Sequence, residues 1–175
     1  MRRLGFLLVV LALAAGCDDS DPPTGPSTTG PIVFTAQLSA ANEVPAVTNA
    51  ESNGRGNVTI TFNVPRDSVG AVTGSGTVAF AVQLTGFPLG TPAIAAHIHP
   101  GAAGTNGAVL LGTTLSATAP IVMGDGTVNV TLPAIRDITQ AEAQQIVANP
   151  GGFYFNVHTP LNPGGAVRGQ MVRTR

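Results

Sequence analysis

The chain has 175 residues, a formal net charge of −1 and only 10% charged residues, so it carries neither a basic field for nucleic acid nor an acidic face for a cationic partner. Its single cysteine excludes a disulfide within the chain, and stability must come from a packed core. All eight basic residues are arginine, which leaves Thr, Ser, Asn, Gln and Gly to build most of the surface.

The N-terminus reads as an export signal: Arg2 and Arg3 precede an apolar run from Leu4 to Ala15 that is too short to span a bilayer, which takes about 20 apolar residues. Leu13-Ala14-Ala15-Gly16-Cys17 resembles the bacterial lipoprotein signal, in which cleavage leaves an acylated cysteine. Ala14 departs from it, since leucine is preferred three positions before the cysteine. An ordinary secretory signal with a spare thiol at Cys17 is the plainer alternative, although a free thiol is unusual in an oxidising compartment. Either reading takes the protein out of the cytoplasm, and the lipid reading tethers it to a membrane of the cell envelope. Asp18 to Pro31, DDSDPPTGPSTTGP, is nearly free of apolar side chains and contains four prolines, the composition of an extended tether. The resulting boundaries are a signal peptide over 1–16, a lipidated Cys17 and disordered tether over 17–31, and one β domain over 32–175.

Within that domain period-two alternation dominates. Val58, Ile60, Phe62 and Val64 interleave with Thr59, Thr61 and Asn63; Val78, Phe80, Val82 and Leu84 interleave with Thr77, Ala79, Ala81 and Gln83. That is the pattern of half-buried antiparallel strands. Further strands are expected over 32–39, 94–99, 108–115, 127–132, 152–158 and 166–174, separated by segments rich in Gly, Pro and Asn. Thr139-Gln140-Ala141-Glu142 resembles a capping box, and Asn149-Pro150-Gly151 stops the helix it begins. Ile138 and Ile146 are candidates to plug one end of the core. The expected fold is all-β, an antiparallel, Greek-key-like β-sandwich or barrel of about eight strands with one short helix near 139–148.

All three histidines of the chain lie in expected strands: His97 and His99 in Ala96-His97-Ile98-His99, and His158 at the end of Phe153-Tyr154-Phe155-Asn156-Val157-His158. Residues two apart in a strand share a face, so His97 and His99 project together, opposite Ile98, while His158 projects with Tyr154 and Asn156. If the two strands are neighbours, three imidazoles meet, a ligand set suited to copper or zinc with a coordination position left open. Alternatively the rings hydrogen-bond loop carbonyls at the strand-to-turn junctions His99-Pro100-Gly101 and His158-Thr159-Pro160. Gly101 to Gly107 is glycine-rich but has no phosphate-binding lysine and reads as a flexible loop beside the histidines. No Gly-x-Ser-x-Gly elbow supports a hydrolase.

Four ordered motifs resemble the CHRD domain, named after chordin: Glu43-Val44-Pro45; Ala96-His97-Ile98-His99 with Gly101 and Gly107; Tyr154-Phe155-Asn156-Val157-His158-Thr159; and Gly165-Ala166-Val167-Arg168-Gly169-Gln170. The resemblance runs from about Phe34 to the C-terminus and implies an extracytoplasmic β-rich domain. A more distant likeness concerns the site. Copper-zinc superoxide dismutase is a β-sandwich carrying a His-x-His pair, a later copper-binding histidine and an arginine beyond it, the order of His97, His99, His158 and Arg168. Here no bridging histidine, disulfide or zinc ligand set accompanies them, so the likeness implies a mononuclear, three-histidine site.

Arg168 has two readings, a guide for an anion entering the site or a structural partner of Glu43 that joins the first and last strands. Together these features point to an exported, membrane-anchored protein binding a transition metal, copper ahead of zinc, with superoxide-type redox chemistry as the enzymatic option. The alternative is a non-enzymatic interaction module with structural histidines, displayed to a protein or glycan at the cell surface.

Overall fold

The computed structural model describes residues 30–175. The signal peptide read over 1–16, Cys17 and the tether up to residue 29 lie outside the described residues. Among the described residues, no helix is long and apolar enough to cross a membrane.

Among the described residues eleven strands form: β1 (Ile32–Ser39), β2 (Arg55–Asn63), β3 (Thr77–Thr85), β4 (Thr91–Ala93), β5 (Ala95–Pro100), β6 (Leu111–Gly112), β7 (Ile121–Met123), β8 (Val128–Pro133), β9 (Phe153–His158), β10 (Val167–Gln170) and β11 (Val172–Arg173), with one α-helix, α1 (Gln140–Ala148), between β8 and β9. The main sheet has the order β6-β5-β9-β10-β1-β2-β3-β8, antiparallel at every pairing, with β11 alongside β1. It curls until its two edges approach. Thr113, just beyond β6, bridges Ala134, just beyond β8, and Ile135 N donates to Gly112 O at 2.9 Å. The fold is therefore the expected all-β architecture, built from one curled sheet.

Alternation decides which side faces in. Ile32, Phe34, Ala36 and Leu38 of β1, Val58, Ile60 and Phe62 of β2, and Val78, Phe80, Val82 and Leu84 of β3 are all buried in one apolar core. Phe80 of β3 reaches across that core to stack on Phe155 of β9, ring centroids 5.4 Å apart. Offset pairs of this kind are worth about 0.5–1.5 kcal/mol beyond the area they bury. Ile138, Ala143 and Ile146 are fully buried in the same cluster, so the helix docks against the core as expected. Its start is fixed by the capping box: Glu142 N donates to Thr139 Oγ1 at 3.3 Å, and Thr139 N donates to Glu142 Oε2 at 2.9 Å.

Two expectations about strands need correction, and one sheet is new. The strand expected over 108–115 shrinks to Leu111–Gly112, because the chain leaves the ladder with β5 after two paired residues. The strand expected over 166–174 breaks at Met171, whose N–H turns to Phe153 O at 2.9 Å while β11 pairs with β1. The small sheet of β4 and β7 was not anticipated, since three-residue strands are too short to show a period.

Candidate metal centre

β9 is buried along its whole length, on both faces. Phe153, Phe155 and Val157 belong to the core; Tyr154, Asn156 and His158 face outward beneath loops. The strands on either side extend that outer patch. His97 pairs with Asn156 and His99 with Tyr154 on β5, while Arg168 pairs with Asn156 on β10. Register therefore places three histidines, a tyrosine, an asparagine and an arginine on one continuous outer surface, as the strand faces read from sequence require.

The three rings converge. One nitrogen from each of His97, His99 and His158 lies within 4.8 Å of the other two. His97 Nδ1 and His158 Nε2 are only 3.1 Å apart. Two nitrogens bound to one ion at about 2 Å stand roughly 3 Å apart when cis, so this hydrogen-bonded pair is already near ligand spacing.

Backbone carbonyls set the direction of two rings. His99 Nδ1 lies 3.0 Å from Gly107 O, and His158 Nδ1 lies 3.0 Å from Pro163 O. A carbonyl only accepts, so each Nδ1 carries the proton and each neutral ring keeps its lone pair on Nε2. This outer hydrogen bond is the usual companion of a metal-ligating histidine. The carbonyl contacts anticipated as a purely structural alternative are thus present; they leave His99 Nε2 free, while His158 Nε2 accepts from His97 Nδ1, a hydrogen bond that a bound ion would replace. His99 Nε2 is buried without a hydrogen-bond partner, an arrangement that an electron-pair acceptor such as a metal ion would satisfy. The donor set fits copper or zinc.

His97 is held differently. Its Cδ2–Nε2 edge lies beside Gly112, where a Cβ would come within 3.1 Å of Cδ2, so its Nδ1 turns toward His158. Burial pushes the His97 imidazole down to about 4, with the neighbouring charges of His158 and His99 adding to the effect. Burial also lowers His99 and His158, against the opposing pull of their carbonyl partners. Neutral imidazoles are the ligating form.

Gly107 shows why the segment after His99 is glycine-rich. A Cβ there would lie 1.7 Å from Pro100 O, and only this close approach allows Gly107 O to reach His99 while Gly107 N donates to the Tyr154 hydroxyl at 3.2 Å. Far from being a loose loop, 101–107 is pinned: Gly101 N donates to Gly152 O at 2.7 Å and Asn106 Nδ2 to Val44 O at 2.9 Å.

Arg168 is 1% exposed and stands behind the histidines. Its guanidinium lies 4.7 Å from the Tyr154 ring centroid, and His99 stacks on the same ring at 4.9 Å, nearly parallel. The Tyr154 strand runs between those of Arg168 and His99, so the tyrosine separates the two. Arg168 Nε donates to Asn42 O at 2.6 Å, and Nη1 donates to Thr105 O and Asn106 Oδ1 at 3.1 and 2.8 Å. Glu43, the other member of the sequence pair, lies 4.0 Å away, beyond hydrogen-bond reach. Burial pushes the Glu43 carboxyl up to about 7, although the Arg168 charge works against it.

Sequence reasoning placed Tyr154 and Asn156 on the face of His158 without giving them a role at the site, and it passed over Glu51 and Pro163. Glu51 and Pro163 act through loop contacts that no periodicity reveals.

No protein of curated function and no solved structure matches the chain. A family model, the CHRD domain, matches residues 34–171, which takes in all three histidines, Glu43 and Arg168. The chain belongs to the CHRD domain family.

Proposed function

We propose that this chain is an exported, lipid-anchored CHRD-domain protein that binds one transition-metal ion, copper ahead of zinc, through His97, His99 and His158. The observation that carries the reading is the convergence of three imidazole nitrogens from adjacent strands within 4.8 Å. Carbonyl bonds on His99 and His158 support it by leaving each Nε2 unprotonated. Copper is preferred because it binds imidazole sites most tightly among the first-row divalent ions. Bound copper would supply one-electron chemistry at an open position, with superoxide as a reactant of suitable size. His99 and His158 are 6% and 8% exposed, so access runs past the more open His97 and suits small molecules. The alternative of a metal-free interaction module expects histidines satisfied by backbone groups; the carbonyl bonds to His99 and His158 fit it, whereas the buried, unpartnered His99 Nε2 favours a metal.

Elemental analysis of the full chain from an exporting bacterial host, followed by copper(II) titration read by ligand-field absorption, tests the proposal. One copper per chain is expected, with affinity reduced by about 100-fold or more in His97→Ala, beyond what loss of an outer hydrogen bond produces. Stoichiometric binding that survives this substitution unchanged overturns it.

A further inference from the structure

Glu51 is 2% exposed, distant in sequence from the histidines, and its carboxylate is committed to one loop. Glu51 Oε2 accepts from Thr159 Oγ1 at 2.6 Å and from Asn162 Nδ2 at 2.6 Å. The same loop is tied internally: Asn162 N donates to Thr159 Oγ1 at 3.1 Å, and Gly165 N donates to Asn162 O at 3.1 Å. Asn49 clasps it from outside, its Nδ2 donating to Asn162 Oδ1 at 2.8 Å. The segment held in this way starts one residue after His158 and contains Pro163, whose carbonyl lies 3.0 Å from His158 Nδ1.

We infer that Glu51 is a positioning residue for the histidine centre: by holding Thr159 and Asn162 it fixes the Pro163 carbonyl, which in turn fixes the ring direction and tautomer of His158. A proline supplies no N–H at position 163, so the carbonyl is the group that residue's peptide unit offers the ring. Geometry alone makes the connection. Hydrogen bonds to a carboxylate are short and strong, and both of these are at the short end of the range. A merely structural glutamate would hold the loop without any bearing on where the His158 proton sits.

The test uses the full chain and two readouts. Nitrogen-15 NMR of the histidine rings in metal-free protein reports the tautomer of His158, and a copper(II) titration reports affinity. In Glu51→Ala the Nδ1–H tautomer of His158 is expected to lose its dominance, and copper affinity to fall by about 10-fold, the lower end of what losing an outer-sphere partner produces. Glu51→Gln keeps an oxygen acceptor and should restore both toward wild type. Asn162→Ala, at a partly exposed loop position, should move both in the same direction and decides the matter if Glu51→Ala does not fold. Unchanged His158 ring shifts in the folded variants overturn the inference. It rests on the metal reading only for its second readout: a wild-type chain that takes up no copper overturns that reading, while the NMR comparison still decides the role of Glu51.

Discussion

His97 Nδ1 and His158 Nε2 lie 3.1 Å apart although 61 positions separate the two residues in the chain. The β5–β9 ladder makes this contact: Ala95 pairs with His158 and His97 with Asn156, so the two histidines are diagonal neighbours on one face. Diagonal neighbours on a sheet are normally about 7–8 Å apart at the backbone, within reach of each other's rings. A one-residue slip in this ladder would send the rings to opposite sides of the sheet, so register and site are a single property of the fold.

Gly107 should be intolerant of any side chain. An added Cβ would meet Pro100 O at 1.7 Å, forcing apart the backbone that presents Gly107 O to His99 and Gly107 N to Tyr154. Loss of two hydrogen bonds, at about 1 kcal/mol each, together with backbone strain predicts about 2–4 kcal/mol of destabilisation in Gly107→Ala. Urea denaturation of wild type and variant measures it.

A half-buried histidine and a buried glutamate give the metal-free protein opposing pH dependences. His97 has a folded value of about 4 against an ordinary 6.5, so the folded state binds fewer protons between them and stability falls as pH drops through that window. Glu43 has a folded value of about 7 against 4.5, so stability rises as pH drops from 7 toward 4.5. Glu43→Gln mimics the neutral carboxyl and removes the second trend. The variant should gain most over wild type near pH 8, by up to about 2 kcal/mol after allowance for solvent screening, and lose Tm more steeply between pH 7 and 5. Thermal melts across pH 5–8 check both signs.

The proposed lipid anchor would depend on Cys17. In a bacterial host with lipoprotein processing, Cys17→Ala should abolish incorporation of labelled palmitate and move the protein from the membrane fraction to the soluble extracytoplasmic fraction. Labelling and fractionation of the two chains read this out, and a variant that stays membrane-bound contradicts the lipid anchor.

Much of this architecture was legible because it follows from period two. Alternation in residues 58–64 and 78–84 gave the faces of β2 and β3, and the same rule put His97, His99 and His158 away from the apolar stripe. The capping box at Thr139 and Glu142 marked the helix start from four residues. What stayed hidden depends on long-range contact. β4 and β7 are three residues each and exist because they pair with one another. The adjacency of β5 and β9 was a condition in the sequence and is a fact of the sheet order. Arg168 and Glu43 illustrate the limit most clearly: the expected ion pair forms, at 4.0 Å, but the guanidinium's hydrogen bonds go to Asn42, Thr105 and Asn106 instead. Backbone carbonyls compete for a buried arginine, and the sequence does not say where they will be.

X-ray absorption spectroscopy of the copper-loaded full chain measures the coordination shell itself. Three imidazole nitrogens at about 2 Å from a single copper ion are expected, with the imidazole count dropping to two in His99→Ala. A shell with one imidazole or none, or one that His99→Ala leaves unaltered, would show that these three histidines do not make a metal centre.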